Sequence, residues 1–316
     1  MISIQEIRKS QPQIVVLGNH PQIIQSILDF DYLSGKKTPS VVAILGNETG
    51  VGKYFWGRGE VLLPLAAEIA ALKTDYSSAV WFLNLLSGRR SFLAIKQFLA
   101  SFAEVTGGVF FAEGLPERHS QALFELHKQR NLLLIGPASV GLVVPGVIKL
   151  GPIGGVTPEQ ITDSGILEPG DCAVISASGG MTNELINMVK LAGRRLSFAF
   201  STGGDRFPLP RLSEAFVLAE NELQTKTIVY YGELGGTEEY ELIELKKRAQ
   251  LTKKVVIHIS GTVAELFRES PQFGHAKAKA TQEQETARAK RTALKAAGFL
   301  VSEKFADVLE LIKANG

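Results

Sequence analysis

Short apolar runs rich in β-branched residues alternate along this chain with longer stretches whose apolar positions recur at helical spacing. In the first half the runs fall at 13–17, 41–45, 79–83, 109–112 and 132–135, and the helix-like stretches at 22–30, 62–72, 92–102 and 118–129. Parallel strands need long crossover connections, so this alternation predicts a doubly wound α/β domain over residues 1–141. Residues 142–170 break the rhythm. Pro145, Gly146, Gly151, Pro152, Gly154, Gly155, Pro158, Pro169 and Gly170 crowd there and predict a linker. A second series of runs at 172–176, 196–200, 227–231, 255–260 and 299–301 predicts a second α/β domain over residues 171–316.

Composition narrows the class. The chain has 316 residues, room for two cores, with 45% apolar and 21% charged residues, the balance of a globular protein. Its 34 Lys and Arg against 32 Asp and Glu leave a net charge of +2, so nothing draws the whole molecule to nucleic acid or an anionic membrane. Basic residues crowd only 276–297, interrupted by Glu283 and Glu285, and read as the solvated face of a long C-terminal helix. The single cysteine, Cys172, excludes an internal disulfide and a cysteine-rich zinc site, and reads as a small buried residue. The N-terminus lacks the features of a secretory signal, and Glu68 interrupts the most apolar stretch, 61–72. A reducing, cytoplasmic setting is the expectation, with no metal cluster among the histidines.

Two nucleotide-binding patterns fail. Residues 46–53 approach a phosphate-binding loop, but Val51 stands where the second glycine belongs and Tyr54 replaces the magnesium-binding Ser/Thr. The first strand ends at Leu17-Gly18-Asn19-His20 with one glycine, where the dinucleotide fingerprint needs three. His20 and His119 fall in predicted loops, His127 in a helix and His258 in a strand, all ordinary histidines.

Three glycine-marked turns follow strands of the second series, and a parallel sheet gathers such turns on one edge. Ser176 to Met181 leads into a helix whose start favours an anion, unless it is simply a tight turn. Gly232 to Thr237 carries Glu233, a carboxylate able to orient an imidazole or merely to cap a helix. Gln272 to Ala276 carries His275, before a long helical run, as a nucleophile toward phosphorus or a plain helix-start residue. Together they describe a phosphohistidine relay.

At these residues the chain resembles the α subunit of succinyl-CoA synthetase, and more closely the corresponding region of ATP-citrate lyase. The resemblance runs through residues 178–184 (SGGMTNE), 203–206 (GGDR), 232–240 (GELGGTEEY), 251–253 (LTK) and 272–276 (QFGHA). In the first half it runs through 28–32 (LDFDY), 55–57 (FWG), 112–117 (AEGLPE) and 136–138 (GPA). It implies a Rossmann-like CoA-binding domain followed by a flavodoxin-like ligase domain. It implies phosphorylation of His275, oriented by Glu233, with Glu113 near the thioester-forming centre. Ser178, Gly179, Gly180 and Met181 would hold phosphate or substrate carboxylate, with Asn183 facing the substrate. CoA would meet Gly18, Lys53, Ser87 and Arg89. ATP and Mg2+ would be handled by a large ATP-grasp partner subunit, and citrate would be the acid. The expectation is the small subunit of an ATP-dependent acyl-CoA ligase forming citryl-CoA without a cleavage module, the sequence ending at Gly316. A succinyl-CoA synthetase α subunit, an ATP-citrate lyase subunit and a non-catalytic CoA-binding scaffold are the alternatives. Two departures from the pattern are Lys277, where glycine is usual, and Ala177, where arginine is usual.

Overall fold

A computed structural model describes residues 1–72 and 79–315. The first half builds a sheet from β1 (Gln13–Leu17), β2 (Val41–Leu45), β3 (Gly50–Trp56), β4 (Gly59–Ala66), β5 (Val80–Asn84), β6 (Val105–Phe110) and β7 (Leu133–Ile135). Its order is β3-β4-β2-β1-β5-β6-β7, all parallel except the β3–β4 ribbon. Among the described residues, α-helices of this half are α1 (Ile4–Lys9), α2 (Pro21–Leu33), α3 (Gly88–Ser101) and α4 (Glu117–Arg130). Their ends carry local signals: Ser3 and Glu6 form a capping box on α1, Pro21 opens α2, and Asn131 closes α4 in the left-handed region.

The stretch 62–72, expected to be helical, instead runs as strand in β4 through Ala66 and then makes only a short 3-10 turn at Ile69–Ala71. Pro64 lacks the N–H an inner helical turn needs, and exposure alternates along the strand, with Leu62 outward and Leu63 buried. Its partner β3 takes up residues 50–56, so the would-be phosphate loop is an extended ribbon that folds over Tyr32 at Gly57. His119, expected in a loop, lies in the first turn of α4.

The second sheet has the order β14-β13-β12-β10-β11-β8-β9. Its parallel strands are β10 (Cys172–Ser176), β11 (Leu196–Ser201), β12 (Thr227–Glu233), β13 (Lys254–Ser260) and β14 (Leu300–Val301). The two remaining strands, β8 (Leu142–Val144) and β9 (Ile148–Leu150), lie within the expected linker and close the sheet as an antiparallel hairpin. Their side chains are wholly buried, which a linker could not supply. Glycine and proline there turn the chain between short buried strands rather than loosen it. Helices α5 (Pro158–Asp163), α6 (Gly179–Leu191), α7 (Leu212–Asn221), α8 (Glu239–Lys247), α9 (Ala287–Ala296) and α10 (Asp307–Ala314) complete this half.

The halves are joined by buried contacts. Lys149 of β9 donates to Ser26 Oγ of α2 and to the Gly151 carbonyl, both at 2.8 Å. Gly136 and Leu209 exchange backbone bonds of 3.0 and 2.7 Å, and His127 of α4 faces Glu214 of α7 at 3.5 Å. Among the described residues no helix is long and apolar enough to cross a membrane, and no cluster of His, Cys, Asp and Glu could hold a metal ion. Cys172 is buried, and burial pushes its thiol up to about 12, which keeps it an inert core group.

Candidate functional site

In the second sheet strand order reverses around β10, flanked by β11 and β12, and an open α/β sheet binds ligands outside the strand ends at such a point. Three connections converge there. The Ser176–Ser178 turn after β10 is folded by its own hydroxyl: Ser176 Oγ donates to the Ser178 carbonyl (2.8 Å) and accepts from the Ser178 N–H (3.0 Å). Helix α6 then begins at Gly179 with no side-chain cap from Ser178 and no acid in its first turn. Its positive end is therefore not neutralised by its own sequence. Gly179 is required by packing, since a Cβ there would run into Val140, whereas Gly180 and Met181 face open or partly covered space. Asn183 uses its Oδ1 to accept the Gly154 N–H at 2.9 Å, anchoring α6 to the loop before α5.

Glu233 is the last residue of β12 and is buried. Its carboxylate pairs with Nδ1 of His275 at 2.7 Å. That contact raises the pKa of His275 above its ordinary value; burial opposes the rise, the Glu233 charge adds to it, nearby Lys277 opposes it and Glu113 supports it. In the neutral imidazole, a carboxylate at Nδ1 favours the tautomer that donates Nδ1–H to it and leaves the lone pair on Nε2.

His275 does not open a long helix, contrary to the expectation from 276–297. The helical part of that stretch is α9, beginning at Ala287 behind a Thr286 cap. The chain between is a compact loop, in which Phe273 N–H donates to the Ala278 carbonyl and Ala278 N–H to the His275 carbonyl, both at 3.0 Å. Alternating Ala and Lys read as helix in sequence, but the loop packs its backbone at Lys277 and Lys279 against Gly235 of the β12 turn and sets the His275 ring against Gly204 of the turn after β11.

Nor is α9 a solvated basic face throughout. Lys290 is fully buried and donates to the carbonyls of Glu233 (2.9 Å) and Gly235 (2.6 Å), with Glu239 at 2.7 Å completing its shell. Arg291 donates to the Ile259 carbonyl at 2.8 Å. These cations brace the turns that carry the site. Sequence reasoning missed Lys290 and Glu239; the one available signal was a lysine and an arginine at adjacent positions of an otherwise alanine-rich helix.

Glu113 projects from the β6–α4 connection of the first half and is exposed. Its charge adds to the upward shifts of His275 and Asp205, and the Arg206–Glu117 ion pair at 2.9 Å joins the loop after β11 to the start of α4. Asp205 is buried beside the loop, and burial pushes its carboxyl up, with Glu117 and Glu113 adding to the shift. A cavity of about 920 Å³ opens alongside, between α4, the 202–212 segment and the start of α8, with Arg118, Arg211 and Lys277 on its walls.

The first sheet also reverses its order, at β1 between β2 and β5. Gly18 closes β1 with φ +101°, and a Cβ there would stand 3.2 Å from the backbone of Leu85 and Leu86, so the turns after β1 and β5 touch. Ser87 precedes α3 without capping it, and α3 opens Gly88-Arg89-Arg90 with no acid in its first turn. A phosphate fits these residues. Lys53 is different. Its neighbour Tyr54 is buried and reaches Asn19 Oδ1 at 3.5 Å, so Lys53, one residue along the strand, points to the opposite face and pairs with Glu60 at 2.8 Å.

Residues 175–300 match the family model described as CoA-ligase. The chain is 34% identical over 311 residues, 98% of its length, to the probable ATP-citrate synthase subunit 1 of Schizosaccharomyces pombe, and spans 50% of that protein. It is 39% identical over 294 residues, 91% of its length, to the ATP-citrate synthase beta chain protein 1 of Arabidopsis thaliana, spanning 47% of it. Among solved structures, the ATP citrate lyase of Methanothrix soehngenii in complex with citrate and coenzyme A superposes with a TM-score of 0.92 at 34% identity, over 96% of this chain and 49% of that one. The chain thus spans about half the length of these relatives.

Proposed function

Because the chain carries a CoA-ligase domain and shares the fold of ATP-citrate lyase over nearly its whole length, we propose that it is the CoA-binding, phosphohistidine-bearing component of an ATP-driven ligase that joins citrate to CoA. The observation that carries this reading is the 2.7 Å contact between His275 Nδ1 and Glu233 at the reversal point of the second sheet, next to the uncapped start of α6.

Glu233 holds the imidazole in one tautomer and raises the electron density on Nε2, which would accept a phosphoryl group from the partner's ATP as the bond to the ADP leaving group breaks. The N–P bond formed there then breaks as a carboxylate oxygen of the acid takes the phosphorus. The imidazole leaves neutral, its Nδ1 proton still on Glu233's side of the ring. The N–H groups of Gly179, Gly180 and Met181 stabilise the phosphate or carboxylate charge at the helix tip. CoA, when bound, supplies the thiol that displaces phosphate from the acyl group. Gly18, Ser87 and Arg89 would hold its phosphates, and Glu113 stands where the two halves meet. ATP and Mg2+ belong to a separate ATP-grasp polypeptide in this reading.

The test is labelled phosphate. Combined with its ATP-grasp partner, ATP, CoA and either citrate or succinate, the protein is expected to acquire acid-labile label on His275 and to form thioester with citrate. Label elsewhere, or thioester with succinate alone, overturns the relay or the citrate assignment respectively.

A further inference from the structure

The imidazole of His275 lies flat against the backbone of Gly204, in the loop after β11. A Cβ built on Gly204 would stand 2.7 Å from His275 Nδ1 and closer still to Cγ and Cδ2, which no real side chain tolerates. Two glycines are adjacent here, and they are glycine for different reasons. Gly203 has φ +86° and presses on the Pro137 carbonyl, so both its backbone angle and its packing exclude a side chain. Gly204 has no left-handed angle. Its backbone would accept alanine without strain, and the nearest obstacle to a Cβ is the histidine ring itself.

We propose that Gly204 is a positioning residue for the phosphoryl-accepting histidine: its bare backbone is the seat that holds the His275 ring in the plane where Nδ1 meets Glu233. The proposal rests on the relay reading for its catalytic meaning, but not for its geometry. Glu233 alone fixes one atom of the ring, and a single hydrogen bond leaves an imidazole on a loop free to rotate about it. A flat surface under Cγ, Cδ2 and Nδ1 removes that rotation. Ring position and tautomer are then set by shape and by charge together.

The charged groups facing the ring are Glu233, Lys277 and Glu113, each of which acts on its titration. The experiment therefore reads the His275 titration by NMR in the full chain, in wild type, Glu233→Gln, Gly204→Ala and the double variant. If Gly204 acts through the Glu233 contact, Gly204→Ala lowers the His275 midpoint as far as Glu233→Gln does, and the double variant shows no further drop. A wild-type midpoint in folded Gly204→Ala, or additive effects in the double variant, overturns the proposal. Should Gly204→Ala fail to fold, the Gly204→Ala/His275→Ala chain decides. Folding restored by removing the ring supports the seat, and folding still lost refutes it.

Phosphorylation of His275 by phosphoramidate, a chemical donor that needs no partner, separates this idea from the relay. Misplacing a reacting group by about 1 Å costs roughly 100-fold, so a loss of that size is expected in Gly204→Ala. No phosphorylation of the wild type would count against the relay and leave the seat to be judged by the titration.

Discussion

Both sheets reverse their strand order next to a glycine-bearing turn, yet the two reversal points are furnished very differently. At the second, Glu233 at a strand end, His275 on a loop and the open start of α6 meet, with Glu113 and Asp205 at the rim. At the first, Gly18 and the turn after β5 pack backbone against backbone, Ser87 and the arginines of α3 follow that turn, and among the described residues no His–carboxylate pair like His275–Glu233 forms there. A site that makes and breaks bonds needs groups whose protonation is controlled by neighbours. A site that only holds a large ligand needs close backbone approach and a few cations. The proposed function puts chemistry at the second edge and binding at the first, a division that can be broken by substitutions expected to affect one edge alone.

The largest effect is expected from His275→Ala. Phosphate incorporation should vanish, while CoA affinity, measured by calorimetry, stays within about twofold. A large loss of CoA binding would mean the two edges are not separable. Next comes Glu233→Gln, which keeps the shape and removes the charge; a phosphorylation rate lower by about 100-fold is expected. The same variant alters stability with pH. Because Glu233 raises the His275 pKa in the folded protein, the pair's contribution is fully present below the unfolded histidine value and fades as pH rises through the folded one. Urea midpoints of the wild type should fall across that window, and those of Glu233→Gln should fall less.

Gly18→Val strikes the other edge. With φ +101° and backbone atoms 3.2 Å from any Cβ, the turn must open, at a cost of about 1–3 kcal/mol. CoA affinity should drop roughly tenfold or more, with the His275 titration unmoved. A shifted histidine would show that strain at the first edge reaches the second.

How much of this the sequence displays depends on how local each signal is. Runs such as 172–176 and 41–45 coincide with strands β10 and β2, because buried parallel strands are short, continuous and β-branched. Glu233 and Ser178 were legible because strand ends face the ligand edge by topology. The 62–72 stretch misled because Leu, Ala and Glu favour helix, while Pro64 and the pairing with β3 favour strand. Residues 276–286 misled for the same reason: alanine and lysine have helical propensity, and only the remote glycines 204 and 235 explain why the chain stays a loop. Nor could spacing reveal that Lys290, in an apparently solvated basic stretch, has its ammonium buried beneath the Glu233 turn. That contact joins residues far apart in sequence.

The smallest effect on the site, and the sharpest statement about how the two edges are held together, is expected from Lys149→Met. Lys149 belongs to the second sheet but is buried against α2 of the first half, where burial pushes its pKa down to about 7, partly opposed by Asp29 and Asp31. An unfolded chain keeps this lysine protonated up to about 10.4. Between about 7 and that value the unfolded state binds more protons than the folded one, so stability should rise with pH across this window. Methionine fills a similar volume and carries no proton, so the variant's stability should be flat there by comparison. At pH 7 its stability should lie within about 1–4 kcal/mol of wild type, since replacing a buried charge by an apolar group is often neutral or favourable. If the slope persists in Lys149→Met, the lysine is not the group responsible. If instead the variant melts in two steps where the wild type melts in one, the Lys149–Ser26 bond is what makes the two sheets fold as a unit, and the separation of binding from chemistry is kept in register by a single buried ammonium.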